Sequence, residues 1–284
     1  MSIKVARAFD TVILSADSRQ FYRETELGTA KPDEKELAEA KHYFVNTLSI
    51  HSDYNAGQYE REALEVLDEV YAHQDVAVVV GGSGLYVKAL CEGIDEMPEI
   101  DPALRERLNQ EKETSGLEEL VARLQSLDPE YADIVDVKNP QRVIRALEVI
   151  ESTGKTYTSW RKATNAVERP FEIVKIGLEM PREVLYERID RRMDQMISSG
   201  LFQEAEALFP LRHLNALQTV GYSEIFGYLE GQYDQEEAIR LLRRNSRRYA
   251  KRQLTWFRKD PEVKWFTPDQ EGDLFSYLKS VISE

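Results

Sequence analysis

Three stretches of the sequence combine residue types that can do chemistry. Asp17-Ser18-Arg19-Gln20 sets a carboxylate, a hydroxyl, a guanidinium and an amide side by side, directly after the apolar run that starts at Thr11. Gly81-Gly82-Ser83-Gly84 follows a second apolar run and leads straight into a helical pattern at Leu85. Such a loop gathers backbone N–H groups and a helix N-terminus in one place, which suits an anion or a close backbone approach. The third stretch runs from Ile239 to Lys259, with nine Lys or Arg and no Asp or Glu. Arg243, Arg247 and Lys251 form one i, i+4 row and Arg244, Arg248 and Arg252 the adjacent row, while Ile239, Leu242, Tyr249, Gln253 and Trp256 lie on another face. Each stretch also has a plainer reading. Asp17 or Ser18 caps the next turn, the glycines serve a tight packing turn, and the cations form a solvated face. Six like charges with no acid among them repel by a few tenths of a kcal/mol per i, i+4 pair, and bound phosphates relieve that repulsion.

The surrounding pattern says which elements position these groups. TVILSAD, Thr11 to Asp17, is short and apolar with β-branched residues at its start, the pattern of a buried parallel strand; HYFVNTLS is a weaker strand, and VAVVVGG, Val76 to Gly82, is the clearest buried strand of all. Between them Asn55 caps a helix whose stripe Ala56, Tyr59, Ala63, Leu67 and Val70 follows a period of 3.6. Strand, helix, strand in this rhythm predicts an α/β fold with a parallel sheet, whose ligands bind at the carboxyl ends of the strands. Asp17 and Ser83 both leave such ends. From Asp101 to Thr153 only helices follow, the last opened by Asn139-Pro140 and closed by Gly154. EIVKIGL, Glu172 to Leu178, then resumes strand character, Pro181 opens a helix, Asp234 with Glu237 forms a capping box for the long basic helix, and VKWF ends the strands. The expected organisation is core over residues 1–98, a helical insertion over 99–168, and core again over 169–284.

Composition removes several classes of function. The 284 residues are 42% hydrophobic and 31% charged, enough for a buried core. A mean hydropathy of −0.50 and the lack of a long apolar run exclude a membrane span. Cys91 is the only cysteine and the histidines His42, His51, His73 and His213 have no ligand spacing, which excludes disulfide frameworks and cysteine-rich zinc sites. MSIKVARAFD has no signal-peptide core, so a cytoplasmic protein is expected. The net charge of −14 argues against a polyanionic partner on average, but the basic tract keeps one face open to it.

Six blocks stand in an order and spacing that resemble the tRNA dimethylallyltransferases, also called tRNA isopentenyltransferases. They are ADSRQ from Ala16, GTAKP from Gly28, VGGSGLY from Val80, NPQRVIRALEV from Asn139, VGYSE from Val220 and KRQLTWFR from Lys251. The resemblance implies a P-loop-kinase-like parallel core with a helical insertion domain. It also implies transfer of a dimethylallyl group from dimethylallyl diphosphate to N6 of adenosine 37 in the tRNA anticodon stem-loop, with Mg²⁺ and by a monomer. Asp17 matches the family's general base on the adenine amine. Asp17, Ser18, Arg19, Gln20, Ser83, Arg105, Gln141, Arg142, Val143, Ile144 and Arg145 match its tRNA-contacting positions. The chemistry suits these types: the exocyclic amine is a poor nucleophile that needs a carboxylate to orient it and accept its proton, and the diphosphate needs cations and N–H donors. The flipped base enters from the side opposite the prenyl donor.

The sequence also departs from that family. A phosphate loop of the Gly-x-x-x-x-Gly-Lys-Thr type belongs just before the helix at Ser2–Phe9 and is not among these residues, and VVVGGSGLY lacks the lysine and the spacing to replace it. Gln218 stands where some members have Arg, and Ser223 where a basic residue often follows the Tyr. The chain therefore reads as an N-terminally truncated member lacking the P-loop. Two further readings are a catalytically dead RNA-binding remnant and a P-loop-type small-molecule kinase. The kinase would need the absent lysine and leaves ADSRQ and the basic helix unexplained.

Overall fold

The computed structural model describes residues 1–95, 97–161 and 167–282. They form two compact units, one of residues 1–91 with 170–284 and one of residues 92–169. The helices are α1 (Ser2–Ala8), α2 (Glu34–Glu39), α3 (Ala56–Tyr71), α4 (Gly84–Glu92), α5 (Pro102–Ser115), α6 (Leu117–Leu127), α7 (Pro129–Ile134), α8 (Pro140–Thr153), α9 (Tyr157–Arg161), α10 (Arg182–Ser198), α11 (Leu201–Leu208), α12 (Tyr222–Leu229), α13 (Gln235–Phe257) and α14 (Glu271–Ile282). The strands are β1 (Ile13–Ser15), β2 (His42–Tyr43), β3 (Val78–Val80), β4 (Ile176–Leu178) and β5 (Lys264–Phe266).

In the first unit β1 is the middle of a parallel sheet in the order β2-β1-β3, and β4 pairs with β5 in a second parallel sheet. The strand pattern TVILSAD thus narrows to Ile13–Ser15, buried throughout. HYFVNTLS narrows to two residues because Phe44 and Asn46 take positive φ, 63° and 57°, which no ladder accommodates. The expectation that VAVVVGG, the clearest strand pattern, is buried is overturned: Val79 is 38% and Val80 40% exposed. Alternation and β-branching report strand character, whereas burial depends on neighbours, and β3 lies at the edge of its sheet.

α3 begins as expected, with the Asn55 side chain accepting from the N–H groups of Gly57 and Gln58 and Gln58 reaching back to Asn55. Its buried stripe packs with Val12, Leu14, Phe21, Phe44 and Tyr54 into one core. Phe21 is fully buried there, with ring centroids 5.1 Å from Tyr54 and 5.7 Å from Tyr59, and so anchors the chain just beyond Gln20. Aromatic contacts of this kind add roughly 0.5–1.5 kcal/mol each beyond area burial. A second core joins α10 to α13 through Met193, Leu201, Leu217, Tyr222, Ile225 and Leu242. At the start of α13, Asp234 accepts from the Glu237 N–H at 2.8 Å, but the expected capping box is only half formed. The Glu237 carboxylate turns instead to Arg240, whose two guanidinium donors offer more than a single N–H.

The second unit is helical. α5 to α9 surround Leu108, Leu120, Leu124, Val143, Ile144, Leu147 and Ile150. α8 starts with Asn139 accepting from Gln141 and Pro140 at the first turn, and ends on Gly154 at φ 68°.

Candidate active site

β1 and β3 run parallel with Ser15 opposite Val80, so the chain leaves both strands at the same edge and brings Asp17–Gln20 beside Gly81–Gly84. The Ser18 N–H donates to Ser83 Oγ at 2.9 Å, and the two hydroxyls stand 3.1 Å apart. Ser15 Oγ donates to Gln20 Oε1 at 3.1 Å.

Asp17 is half-buried at the mouth of this edge. Its Oδ1 accepts from the Arg19 N–H at 2.9 Å, and the Gln20 N–H also points to the carboxylate. Desolvation is the dominant influence and raises the Asp17 pKa above its ordinary 3.8; the two N–H groups and the charges of Arg19 and Arg192 oppose it without cancelling it. The result is a carboxylate more basic than one in water and held in one orientation, as proton abstraction requires. Arg19 itself is turned toward the fold, with Nη1 donating to the carbonyls of Asn215 and Ala216 at 2.8 and 3.2 Å.

The glycines of the second loop serve close approach. A Cβ on Gly81 would stand 2.2 Å from the Ala16 carbonyl oxygen, one on Gly82 1.9 Å from Gln253 Nε2, and one on Gly84 2.3 Å from the Trp256 indole. Gln253 also donates to the Gly82 carbonyl at 3.0 Å. Between the two readings of this loop, the geometry favours packing: it seats α13 against the exits of β1 and β3.

α13 therefore brings residues to Asp17 that the charge pattern does not single out. Burial first and the Asp17 charge second keep the Tyr249 phenol neutral, with Ser83 and Gln253 as polar neighbours that oppose this. The i, i+4 relation of Tyr249 to Gln253 was legible, but it reads as part of a packing face. Arg192 on α10 also contributes charge at Asp17, and nothing in the sequence around it signals this.

The picture of six unopposed cations on α13 is corrected. Arg243 pairs with Asp194 and Arg247 with Asp190 at 2.7 Å, both acids on α10. A pattern along one helix cannot register acids brought by its neighbour. Arg244 donates to Asn245. Among the described residues Arg248, Lys251 and Arg252 make no ion pair, and with Thr255, Trp256 and Lys259 they line a shallow groove.

The other matched positions lie in the second unit. Gln141 and Arg142 are exposed on the first turn of α8. Arg105 donates to both oxygens of Glu148, and Arg145 Nη1 stands 3.4 Å from the same carboxylate. Val143 and Ile144 are corrected as side-chain contacts for RNA. They are 0% and 2% exposed, because the helical period that places Gln141 and Arg142 outside turns these two into the core.

Among the described residues no three His, Cys, Asp or Glu side chains stand close enough to hold a metal ion. The side chains present thus form no cage for Mg²⁺, and no step below runs through it. Nor is any helix among them long and apolar enough to cross a membrane.

A family model described as IPP transferase matches residues 20–260. The chain belongs to that family. This IPP transferase is 52% identical over 284 residues to a tRNA dimethylallyltransferase of Cytophaga hutchinsonii, covering 100% of this chain and 93% of the relative. It is 49% identical to tRNA dimethylallyltransferase 1 of Bacteroides fragilis over 282 residues, 99% of this chain and 93% of that one. Its fold is similar to the full-length tRNA isopentenylpyrophosphate transferase of Bacillus halodurans, with a TM-score of 0.72 at 34% identity over 99% of this chain and 91% of the other. A eukaryotic dimethylallyltransferase acting on tRNA shares the fold with a TM-score of 0.78 at 22% identity, over 99% of this chain and 73% of that one.

Proposed function

We propose that this IPP transferase transfers a dimethylallyl group from dimethylallyl diphosphate to N6 of adenosine 37 in tRNA, with Asp17 as general base. The observation that carries this reading is the Asp17 carboxylate, fixed by backbone N–H donors at the joint exit of two parallel strands and made more basic by burial. As N6 attacks the allylic carbon and the carbon–oxygen bond to the diphosphate breaks, the amine proton passes to Asp17. Ser18, Ser83, Tyr249 and Gln20 form the polar wall around that carboxylate and are suited to orienting a flipped base. Gln141, Arg142 and the unpaired cations of α13 are suited to contacting the tRNA backbone. A prenyl-transfer assay of an N-terminally extended chain carrying the phosphate loop, with tRNA and dimethylallyl diphosphate, tests this directly. Asp17→Ala is expected to lower single-turnover rates by ~10² or more with tRNA affinity nearly unchanged. A near-normal rate removes Asp17 from the role.

The cradle for the diphosphate is the second part of the reading. These residues contain no Gly-x-x-x-x-Gly-Lys-Thr sequence, and β3 ends its sheet with Val79 and Val80 exposed. We infer that a further strand bearing the phosphate loop pairs at that edge, and that the leaving charge is stabilised there. Prenyl transfer and thermal unfolding of the 284-residue chain beside an N-terminally extended one test it; equal activity in the two rejects it. The cationic groove of Arg248, Lys251 and Arg252 also suits a tRNA binder without catalysis, and the same pair of chains separates the two readings. A tRNA substrate and a single cysteine support action in the cytoplasm, and gel filtration tests the expected monomer.

A further inference from the structure

Glu204, on α11, is outside every sequence block discussed so far, yet its carboxylate accepts four hydrogen bonds. Oε2 accepts from the N–H groups of Glu26 at 3.1 Å and Leu27 at 2.8 Å, and Oε1 from the Gly28 N–H at 3.0 Å and from the Tyr222 hydroxyl. These donors belong to the segment around the short 3-10 turn Leu27–Thr29 and to the first residue of α12. The two segments interlock beside it: a Cβ on Gly28 would stand 2.5 Å from the Tyr222 ring, so only glycine fits.

The far side of the same turn holds the surroundings of the base. The Ala30 carbonyl accepts from the Gln20 amide at 3.3 Å and from Arg192 Nη2 at 3.1 Å. Ala30 sits at φ 51°, a left-handed conformation that a residue with a Cβ keeps only when its neighbours enforce it. Thr29 Oγ1, bonded to the Thr25 carbonyl at 2.7 Å, closes the turn on itself.

We propose that Glu204 is a positioning residue for the transfer: by clamping the 26–28 amides and Tyr222 it holds the Ala30 carbonyl where that carbonyl fixes Gln20 and Arg192 beside Asp17. This rests on Asp17 being the base. Arg192 is the cation whose place depends on the clamp. The other charged group that acts on Asp17 is Arg19 on its own loop; Tyr86 on α4 and Tyr249 on α13 face it as phenols whose ionisation the Asp17 charge opposes, and none of the three is bonded to Ala30. With Arg192 released, Asp17 loses a charge that favours its ionised form, so its titration moves to higher pH.

The test is a carbon-13 NMR titration of the Asp17 carboxyl in the full 284-residue chain, which does not depend on turnover. In Glu204→Gln, where an amide faces N–H groups that need acceptors, the midpoint is expected to rise, as it does in Arg192→Ala. The double variant should rise no further than the larger single one, since one effect runs through the other. An unmoved midpoint in folded Glu204→Gln, or additive shifts in the double variant, overturns the proposal. Glu204→Asp, which keeps the charge on a shorter stem, replaces Glu204→Gln with the same expectations if the latter does not fold. In the prenyl-transfer assay Glu204→Gln should lower kcat at least fivefold with KM for tRNA unchanged; a shifted titration with unchanged kcat overturns the catalytic part. Failure of transfer by the N-terminally extended wild type would instead reject the function, leaving the titration result standing.

Discussion

Asp17 and Glu148 are both acids withdrawn from water, one at the exit of β1 and the other in the middle of α8. Glu148 is the more completely covered, with a side chain 1% exposed, and it faces the guanidinium groups of Arg105 and Arg145. Asp17 keeps an open edge, makes no ion pair among the described residues, and is held chiefly by backbone N–H groups. A buried acid answered by arginine is neutralised inside the fold and fastens α5 to α8. Where only amides and more distant charges oppose the desolvation, without cancelling it, the acid stays more basic than in water. The same division runs along α13, where Arg243 and Arg247 are spent on Asp194 and Asp190 while Arg248, Lys251 and Arg252 are not.

The comparison breaks most sharply if Asp17 proves dispensable, so the loss of ~10² or more in transfer rate for Asp17→Ala, set against a much smaller loss for Glu148→Gln, is its largest expected effect. Stability should respond the other way. Arg105→Ala leaves Glu148 covered with a single, longer contact to Arg145, and thermal unfolding should report a loss of about 2 kcal/mol, less than for a fully buried pair because Arg105 is half exposed. Glu148→Gln leaves the cations free to hydrate and should cost about half as much. Equal melting temperatures for Arg105→Ala and wild type would undo the structural side of the contrast.

Asp17→Asn sharpens the contrast through pH. The fold raises the Asp17 pKa, so this group favours folding fully below the unfolded value near 3.8 and loses that contribution as pH climbs through the higher folded value. The variant should therefore melt above wild type at neutral pH, with the gap closing toward pH 3.8. A wild-type protein that melts higher across the whole range would mean the carboxylate is stabilised where it stands. The smallest effect concerns the paired and unpaired cations. Lys251→Ala should weaken tRNA binding and reduce the slope of log affinity against log salt by about 1, whereas Arg243→Ala should leave that slope nearly unaltered.

How far these features could be read beforehand follows from which are local. Asn55, Asn139-Pro140 and Gly154 act on their own helices, and each does in the structure what its type dictates. Asp17 and Ser83 could be paired in advance because two parallel strands must deliver their exits to one edge. Burial of Val79 and Val80 depends on what lies beside β3, and neutralisation of Arg243 and Arg247 on what α10 presents, and neither is written in the segment concerned. Val143 and Ile144 show the opposite case: a block matched as a unit hides the fact that a helix turns its members alternately inward and outward. Glu204 and Arg192 carry no local mark at all, because their partners lie far away in the chain.

The glycine loop has one more consequence. With Ala16, Gln253 and Trp256 all closer than a methyl group would allow to the backbone of residues 81, 82 and 84, the loop works as a gauge of zero thickness between the carboxylate loop and the cationic helix. Any side chain added there is a wedge, and it would tilt the cationic face proposed to grip tRNA relative to the carboxylate proposed to take the proton. Engineers who wish to loosen grip and chemistry from each other would find that lever at Gly82, where the obstructing atoms belong to a flexible side chain, and not at Gly81, where they are backbone.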